Sequence, residues 1–214
     1  MAVLVGKKAT DFIAKAVING GEIIEEFTMS QFLGKKYVIL FFYPLDFTFV
    51  CPTEILAFQD RLKDFEDRNV QIIGASVDSH HTHRAWLQTP KNQGGIQGVT
   101  YPLVADLTKT ISKNYDVLAG EYVSDMDEEG NEILSYNGKP YSYRGLFLID
   151  LKGVVRHQLV NEMALGRSVD ETLRIVDALQ FNEENGEGCP ANWEKGKEGL
   201  KNTPKGIAEY MTTR

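Results

Sequence analysis

Seven consecutive residues, Tyr37-Val38-Ile39-Leu40-Phe41-Phe42-Tyr43, are aliphatic or aromatic without interruption. A strand with one face in water alternates apolar and polar side chains; an unbroken run of β-formers this short belongs to a strand covered on both faces. A strand of that kind needs layers on either side of its sheet, which predicts an α/β layered domain. The run is too short to cross a bilayer. With 214 residues and 43% hydrophobic content, the chain is large enough for one well-filled core with an appended tail.

The remaining order agrees with alternating strands and helices. Apolar positions Ile55, Phe58, Leu62 and Phe65 fall 3, 4 and 3 residues apart and predict a helix over 52–67. Residues 70–77 (VQIIGASV) read as the next strand, Ser79 as the cap of a helix carrying Trp86 that ends before Pro90, 102–105 as a short strand, and 107–115 as helical. Residues 121–141 are acidic, with turn signals at Gly130-Asn131 and Asn137-Gly138, and predict an exposed hairpin. Two strands follow, over 145–150 and 154–159, joined through Lys152-Gly153. Ser168-Val169-Asp170-Glu171 is a capping box opening a helix to about Phe181. The expected division is a domain over 1–181 and an extended C-terminal tail over 182–214, the latter rich in Gly, Lys, Asn and Pro and carrying Cys189.

The net charge of −7 repels nucleic acid and anionic membranes, so neither is expected as a partner. The N-terminus MAVLVGKKATDF shows no charged start followed by an apolar stretch of signal-peptide length, and there are only two cysteines. A reducing, cytoplasmic compartment is expected, where any pairing of Cys51 with Cys189 is transient rather than structural.

Cys51 stands where the loop after the apolar run meets the next helix, immediately before Pro52. Proline is favoured in the first helical turn, which puts Cys51 at a helix N-terminus, beside unpaired amides and the positive end of the macrodipole. A free cysteine titrates near pH ~8.5 and is only about 3% thiolate at neutral pH. A helix end contributes ~0.3–1 kcal/mol toward the anion, so a reactive thiol here also needs a nearby cation. The alternative is a small buried hydrophobe, as free cysteines often are; the strand–loop–helix junction and neighbouring Thr48 weigh against it. A disulfide oxidoreductase needs Cys-x-x-Cys at such a junction, and this chain has Thr48 where the first thiol would stand and Glu54 where a trailing one would. A lone thiol beside a hydroxyl cannot close a local disulfide, but it can attack an O–O bond.

The string Pro44-Leu45-Asp46-Phe47-Thr48-Phe49-Val50-Cys51 fits the P-x-x-x-T-x-x-C signature of peroxiredoxins, and FTFVCPTE resembles their typical 2-Cys subgroup. SVDSHHTHRAW (76–86), YRGLFLID (143–150), GRSVDETLR (166–174) and GEGCPANW (186–193) continue the resemblance through most of the chain. The resemblance implies a thioredoxin-like fold with a central mixed sheet flanked by helices, and an antioxidant peroxidase. Cys51 would be oxidised to sulfenic acid by hydrogen peroxide or organic hydroperoxides and resolved by Cys189 of a partner subunit. Thr48 would hydrogen-bond the peroxide and the thiolate, Pro44 and Pro52 would shape and shield the pocket, and Arg144 would supply the cation. Glu54 and Arg167 would orient Arg144. The resemblance further implies re-reduction by thioredoxin or a dedicated flavoprotein disulfide reductase, a homodimer, and a ring of five dimers.

Two family motifs are half present: Gly94-Gly95-Ile96-Gln97 where peroxide-sensitive members carry GGLG, and Tyr210-Met211 where they carry Tyr-Phe. Intermediate susceptibility to overoxidation is therefore expected. The segment 121–141 is longer than the family pattern. His80, His81 and His83 are expected to be solvent-exposed imidazoles at a helix start rather than metal ligands, and neither a metal nor an organic cofactor is expected. A chaperone-like holdase is the competing function from another class.

Overall fold

The apolar run forms strand β3 (Tyr37–Phe42), buried at every position, in a computed structural model that describes residues 2–212. Alternate side chains of a strand go to opposite faces. Val38, Leu40 and Phe42 enter one core with Tyr115, Phe147 and Ile149. On the other face Phe41 stacks on Phe58 at 4.7 Å and meets Tyr101 at 6.0 Å, and Tyr43, the residue after the strand, meets Trp86 at 6.1 Å. Both faces are covered, which is why the sequence shows no alternation there.

The other strands are β1 (Ile13–Ile18), β2 (Glu22–Thr28), β4 (Val70–Ser76), β5 (Leu103–Ala105), β6 (Leu118–Met126), β7 (Glu132–Ser142), β8 (Arg144–Ile149) and β9 (Val155–Asn161). Seven of them form one mixed sheet in the order β2-β1-β5-β4-β3-β8-β9. The centre, β3, β4 and β5, is parallel, and the flanking pairs are antiparallel. β6 and β7 pair only with each other. The helices of this unit are α1 (Cys51–Asp60), α2 (Leu62–Glu66), α3 (His80–Gln88) and α4 (Thr110–Asn114).

Several expectations change. The helix over 52–67 breaks at Arg61, whose φ of −107° and ψ of 12° leave helical geometry, while its guanidinium pairs with Asp64. The stripe survives the break, with Ile55, Phe58 and Phe65 all buried. The helix over 107–115 shrinks to α4, because Asp106 caps it through the amides of Ile111 and Ser112. Asn137-Gly138 is not a turn: Gly138, at φ 91°, sits opposite Gly120 within the ribbon, in an approach that places a Cβ 2.7 Å from the Ala119 carbonyl. β1 and β2 form a hairpin that the apolar pattern does not reveal, although Asn19-Gly20 announces it, with φ of 50° and 75° in the two central turn positions.

The chain divides at Arg167/Ser168 into two units. In the second, α5 (Val169–Asn185) is capped by Ser168 Oγ, which accepts from the Glu171 amide, and ends at left-handed Gly186. The segment read as an extended tail is instead folded. Gly188 bridges Leu200, Phe181 meets Trp193 at 4.9 Å, and α6 (Pro204–Thr212) closes the described residues. Among them no helix is long and apolar enough to cross a membrane.

Phe58 joins the site-bearing helix to the central strand. Phe58→Ala should destabilise the protein by about 3–5 kcal/mol, measured as a lowered urea midpoint at unchanged slope. A loss below about 1 kcal/mol would show that the Phe41–Phe58 stack does not anchor α1.

Candidate active site

β3 ends against a loop, residues 43–50, that turns back into α1. Cys51 is the first residue of that helix and Pro52 the second, one step earlier than the sequence reading placed the boundary. Cys51 is fully buried and unpaired. Arg144, first residue of β8, comes from a strand antiparallel to β3. Its Nη1 lies 3.5 Å from Cys51 Sγ and donates to Glu54 Oε2 at 2.5 Å, while its Nε donates to the Met163 carbonyl at 2.7 Å.

Glu54 is one helical turn past Cys51 and holds a second guanidinium. Arg167 donates to it from Nε at 2.7 Å, Nη2 at 3.0 Å and its backbone amide at 2.8 Å. Arg167 Nη1 donates to the carbonyls of Phe42 and Gly145, at 2.8 and 2.6 Å, and the group lies over the Phe41 ring at 5.0 Å. All three charged side chains are at most 3% exposed. Two cations share one carboxylate, so the cluster carries a surplus positive charge directed at the sulfur through Arg144.

In front of Arg144 opens a largely apolar cleft of about 320 Å³, lined among others by Pro44, Thr48, Val50, Tyr141 and Met163. Thr48 Oγ1 donates to the Leu45 carbonyl at 2.8 Å. Its proton is thus engaged, leaving its oxygen as an acceptor toward the cleft; a donor to the thiolate, as the resemblance implied, it is not in this conformation. Pro44 is buried and Pro52 half-buried.

The expectation of exposed histidines is overturned at His83, which is completely buried. Its Nδ1 meets Asp46 Oδ2 at 2.7 Å and its Nε2 the Val104 carbonyl at 3.2 Å. Asp46 also accepts from Tyr43 Oη at 2.9 Å, and its amide donates to Asp78 at 2.9 Å. Asp46 and His83 therefore pin the loop that carries Thr48 to α3. The helical spacing of His83 and Trp86, three apart on an inward face, was the signal for this burial. Burial pushes the Asp46 carboxyl up. Burial alone would lower His83, but the hydrogen bond and charge of Asp46 outweigh it and hold the imidazole above its ordinary value.

Cys189 lies in the second unit and is held rather than loose: Sγ contacts the Ala178 carbonyl at 3.3 Å. Burial pushes its thiol up against the opposing pull of Arg174.

A thioredoxin-like α/β fold with one buried cysteine at a helix start, faced by a guanidinium and lacking a second local thiol, defines a thiol-peroxidase class of site. Residues 5–158 match the AhpC/TSA family and residues 178–213 the C-terminal domain of 1-Cys peroxiredoxin. The chain belongs to the AhpC/TSA family, among the 2-Cys peroxiredoxins. It is 50% identical to alkyl hydroperoxide reductase C of Helicobacter pylori over 208 residues, 97% of this chain and 96% of that protein. To peroxiredoxin-2 of Mus musculus it is 46% identical, covering 97% and 95%. The reduced 2-Cys peroxiredoxin of Plasmodium vivax superposes with a TM-score of 0.86 at 46% identity, over 99% of this chain and all of that one.

Glu54→Gln should leave two buried guanidinium groups without a counter-charge and cost about 3–5 kcal/mol, read as a lowered urea midpoint; a change within 1 kcal/mol would show that the cluster relaxes into water. For His83 the folded value is raised, so its contribution is fully present below the unfolded value of about 6.5 and is lost as pH climbs through the folded one. The stability difference between wild type and His83→Gln should be largest near pH ~6 and shrink toward pH ~9; a difference that grows with pH would reverse the assignment.

Proposed function

We propose that this enzyme reduces hydrogen peroxide and organic hydroperoxides through Cys51. The observation that carries the reading is the 3.5 Å approach of Arg144 Nη1 to Cys51 Sγ within a cluster bearing surplus positive charge. The sulfur, as thiolate, attacks the distal peroxide oxygen; the O–O bond breaks, and the departing oxygen leaves as water or alcohol after taking a proton. Cys51 becomes a sulfenic acid. Arg144 stabilises the charge that shifts from sulfur to the leaving oxygen, and Glu54 and Arg167 keep it aimed. Thr48 accepts a hydrogen bond from the peroxide hydroxyl. Pro44 and Pro52 keep bulk water from the sulfur.

Cys189 of a partner subunit then attacks the sulfenic sulfur, expelling water and forming a disulfide. A raised Cys189 thiol fits a group that reacts only when delivered to the sulfenic acid. A thioredoxin-type protein, or a dedicated flavoprotein disulfide reductase, returns two electrons. In this reading the first unit carries the peroxide-reactive thiol, the second brings the resolving thiol to a partner subunit, the working unit is a homodimer within a ring of five dimers, and the compartment is the cytoplasm.

Cys51→Ser should abolish peroxide consumption, and Arg144→Lys should lower kcat/KM at least tenfold with the fold retained by circular dichroism. Peroxide-treated wild type should run as a covalent dimer on non-reducing gels, and Cys189→Ser should not. A persistent wild-type monomer would sink the inter-subunit step. With Ile96-Gln97 and Met211 altering both family motifs, inactivation by excess peroxide should set in at doses above those of a member with both motifs intact; inactivation at the same dose refutes that expectation.

A further inference from the structure

The second unit holds a clasp around Cys189 that the chemistry above leaves unused. Along α5, Glu171, Arg174, Ala178 and Phe181 follow one another at spacings of 3, 4 and 3, which puts them on one helical face. The segment 189–193 touches that face at both of its ends. Cys189 Sγ donates to the Ala178 carbonyl at 3.3 Å, and Arg174 Nη1 donates to the Trp193 carbonyl at 2.9 Å. The two anchors are one helical turn apart, about 5.4 Å along the axis. Between them the Trp193 amide donates to the Pro190 carbonyl at 3.0 Å, and Asn192 is left-handed at φ 59°. The segment is a closed turn, not a slack strand.

Arg174 has all three of its guanidinium nitrogens placed. Nε and Nη2 donate to the two oxygens of Glu171 at 2.6 and 2.7 Å. A surface pair of this kind contributes little to stability, but the double hydrogen bond fixes the plane of the guanidinium. Nη1 is thereby aimed at the turn that follows Cys189. Trp193 completes the clasp, with its ring 4.9 Å from Phe181 and its Nε1 donating to the Lys197 carbonyl at 3.0 Å.

The other charges around the turn are matched. Lys195 Nζ lies 3.4 Å from Asp177 and Lys197 Nζ 2.9 Å from Glu194, while the Glu187 carboxylate turns toward Gly199. Arg174 is the cation that acts on Cys189. Two influences therefore oppose each other at this sulfur. Burial favours the thiol, as does a carbonyl that accepts from S–H but would turn its lone pairs on S⁻; the guanidinium favours the thiolate. Only the thiolate is a nucleophile. In the resolving step it attacks the sulfenic sulfur of Cys51 of the partner subunit. The S–S bond forms, the S–O bond breaks, and the departing hydroxide takes up a proton, equal to the one Cys189 gave up, to leave as water.

We propose that Arg174 is a positioning residue for this step: it holds the Cys189 turn on α5 and supplies the positive charge under which the sulfur attacks. The inference rests on the peroxidase reading given above. The speed of resolution then decides how much sulfenic acid survives to meet a second peroxide. The test mixes full-length wild type, Arg174→Gln and Arg174→Lys with hydrogen peroxide, quenches with acid, and counts sulfenic acid, Cys51–Cys189 disulfide and sulfinic acid by mass spectrometry. The pH is varied on both sides of the ordinary thiol value of about 8.5. In Arg174→Gln the midpoint of the disulfide step should lie about one pH unit higher. Its rate at neutral pH should fall about threefold, because greater basicity returns part of the lost thiolate. Above both midpoints the variant should equal or exceed wild type, since a more basic thiolate is the stronger nucleophile. Sulfinic acid should rise at the same neutral-pH dose of peroxide. Arg174→Lys keeps the charge and should keep the wild-type midpoint.

An unchanged midpoint in Arg174→Gln overturns the proposal, as does a step slowed equally at every pH, which would make Arg174 a structural residue alone. A midpoint raised as far in Arg174→Lys overturns it too. Iodoacetamide alkylation of Cys189 in the Cys51→Ser background reads the same group without turnover. There the midpoint should climb with ionic strength as Arg174 is screened; indifference to salt overturns the proposal even where Arg174→Gln does not fold. Wild type that forms sulfenic acid but no Cys189 disulfide overturns it together with the resolving step, sparing the peroxidase. Wild type that forms no sulfenic acid overturns the reading beneath it.

Discussion

One carboxylate holds this site together. Glu54 divides its two oxygens between Arg144 and Arg167 at 2.5–3.0 Å with almost no access to water. Burying an ion pair gains little when desolvation is charged against attraction, so the arrangement is better understood by what it fixes than by what it stabilises. Arg167 spends its remaining donors on the carbonyls of Phe42 and Gly145, at the ends of two adjacent antiparallel strands. The triad thereby ties α1, β3 and β8 at one point, and the sulfur of Cys51 sits at that point.

The sheet explains why residues so far apart meet. β3 carries the chain to the loop before Cys51, and β8, its antiparallel neighbour, begins with Arg144 at the same end. Neither fact can be read from spacing, because Cys51 and Arg144 are 93 residues apart. The sequence revealed the strand, by its unbroken apolar run, and the helix start, by Pro52. The partner cation came only from resemblance to a family. Composition had nothing to say about it, since an arginine at a strand end is ordinarily solvated.

What escaped the sequence has physical causes as well. His83 looked like one of three wet imidazoles because the charged type of a residue says little about its depth; the inward face of α3, marked by Trp86, was the better guide. The β1–β2 hairpin was hidden because β2 carries three glutamates and only one fully buried side chain, so the pattern carried no clean alternation and only Asn19-Gly20 spoke for it. The C-terminal segment read as extended because Gly, Asn and Lys disfavour regular structure, yet Trp193 finds Phe181 and is 2% exposed. A single buried aromatic outweighs several weak propensities.

The charges of the first unit are sorted by depth. Cations in surplus lie buried beside the sulfur, and anions in surplus lie exposed on a ribbon that starts at the cleft. A small neutral peroxide is indifferent to the outer field, so the negative ribbon costs the substrate nothing in access. A charged macromolecule is not indifferent, and screening over about 8–10 Å confines the effect to partners already close. The buried charge thus acts on the sulfur, and the exposed charge on whatever approaches from solvent. That separation lets the ribbon change in charge or length without disturbing Glu54 and the two guanidinium groups it holds.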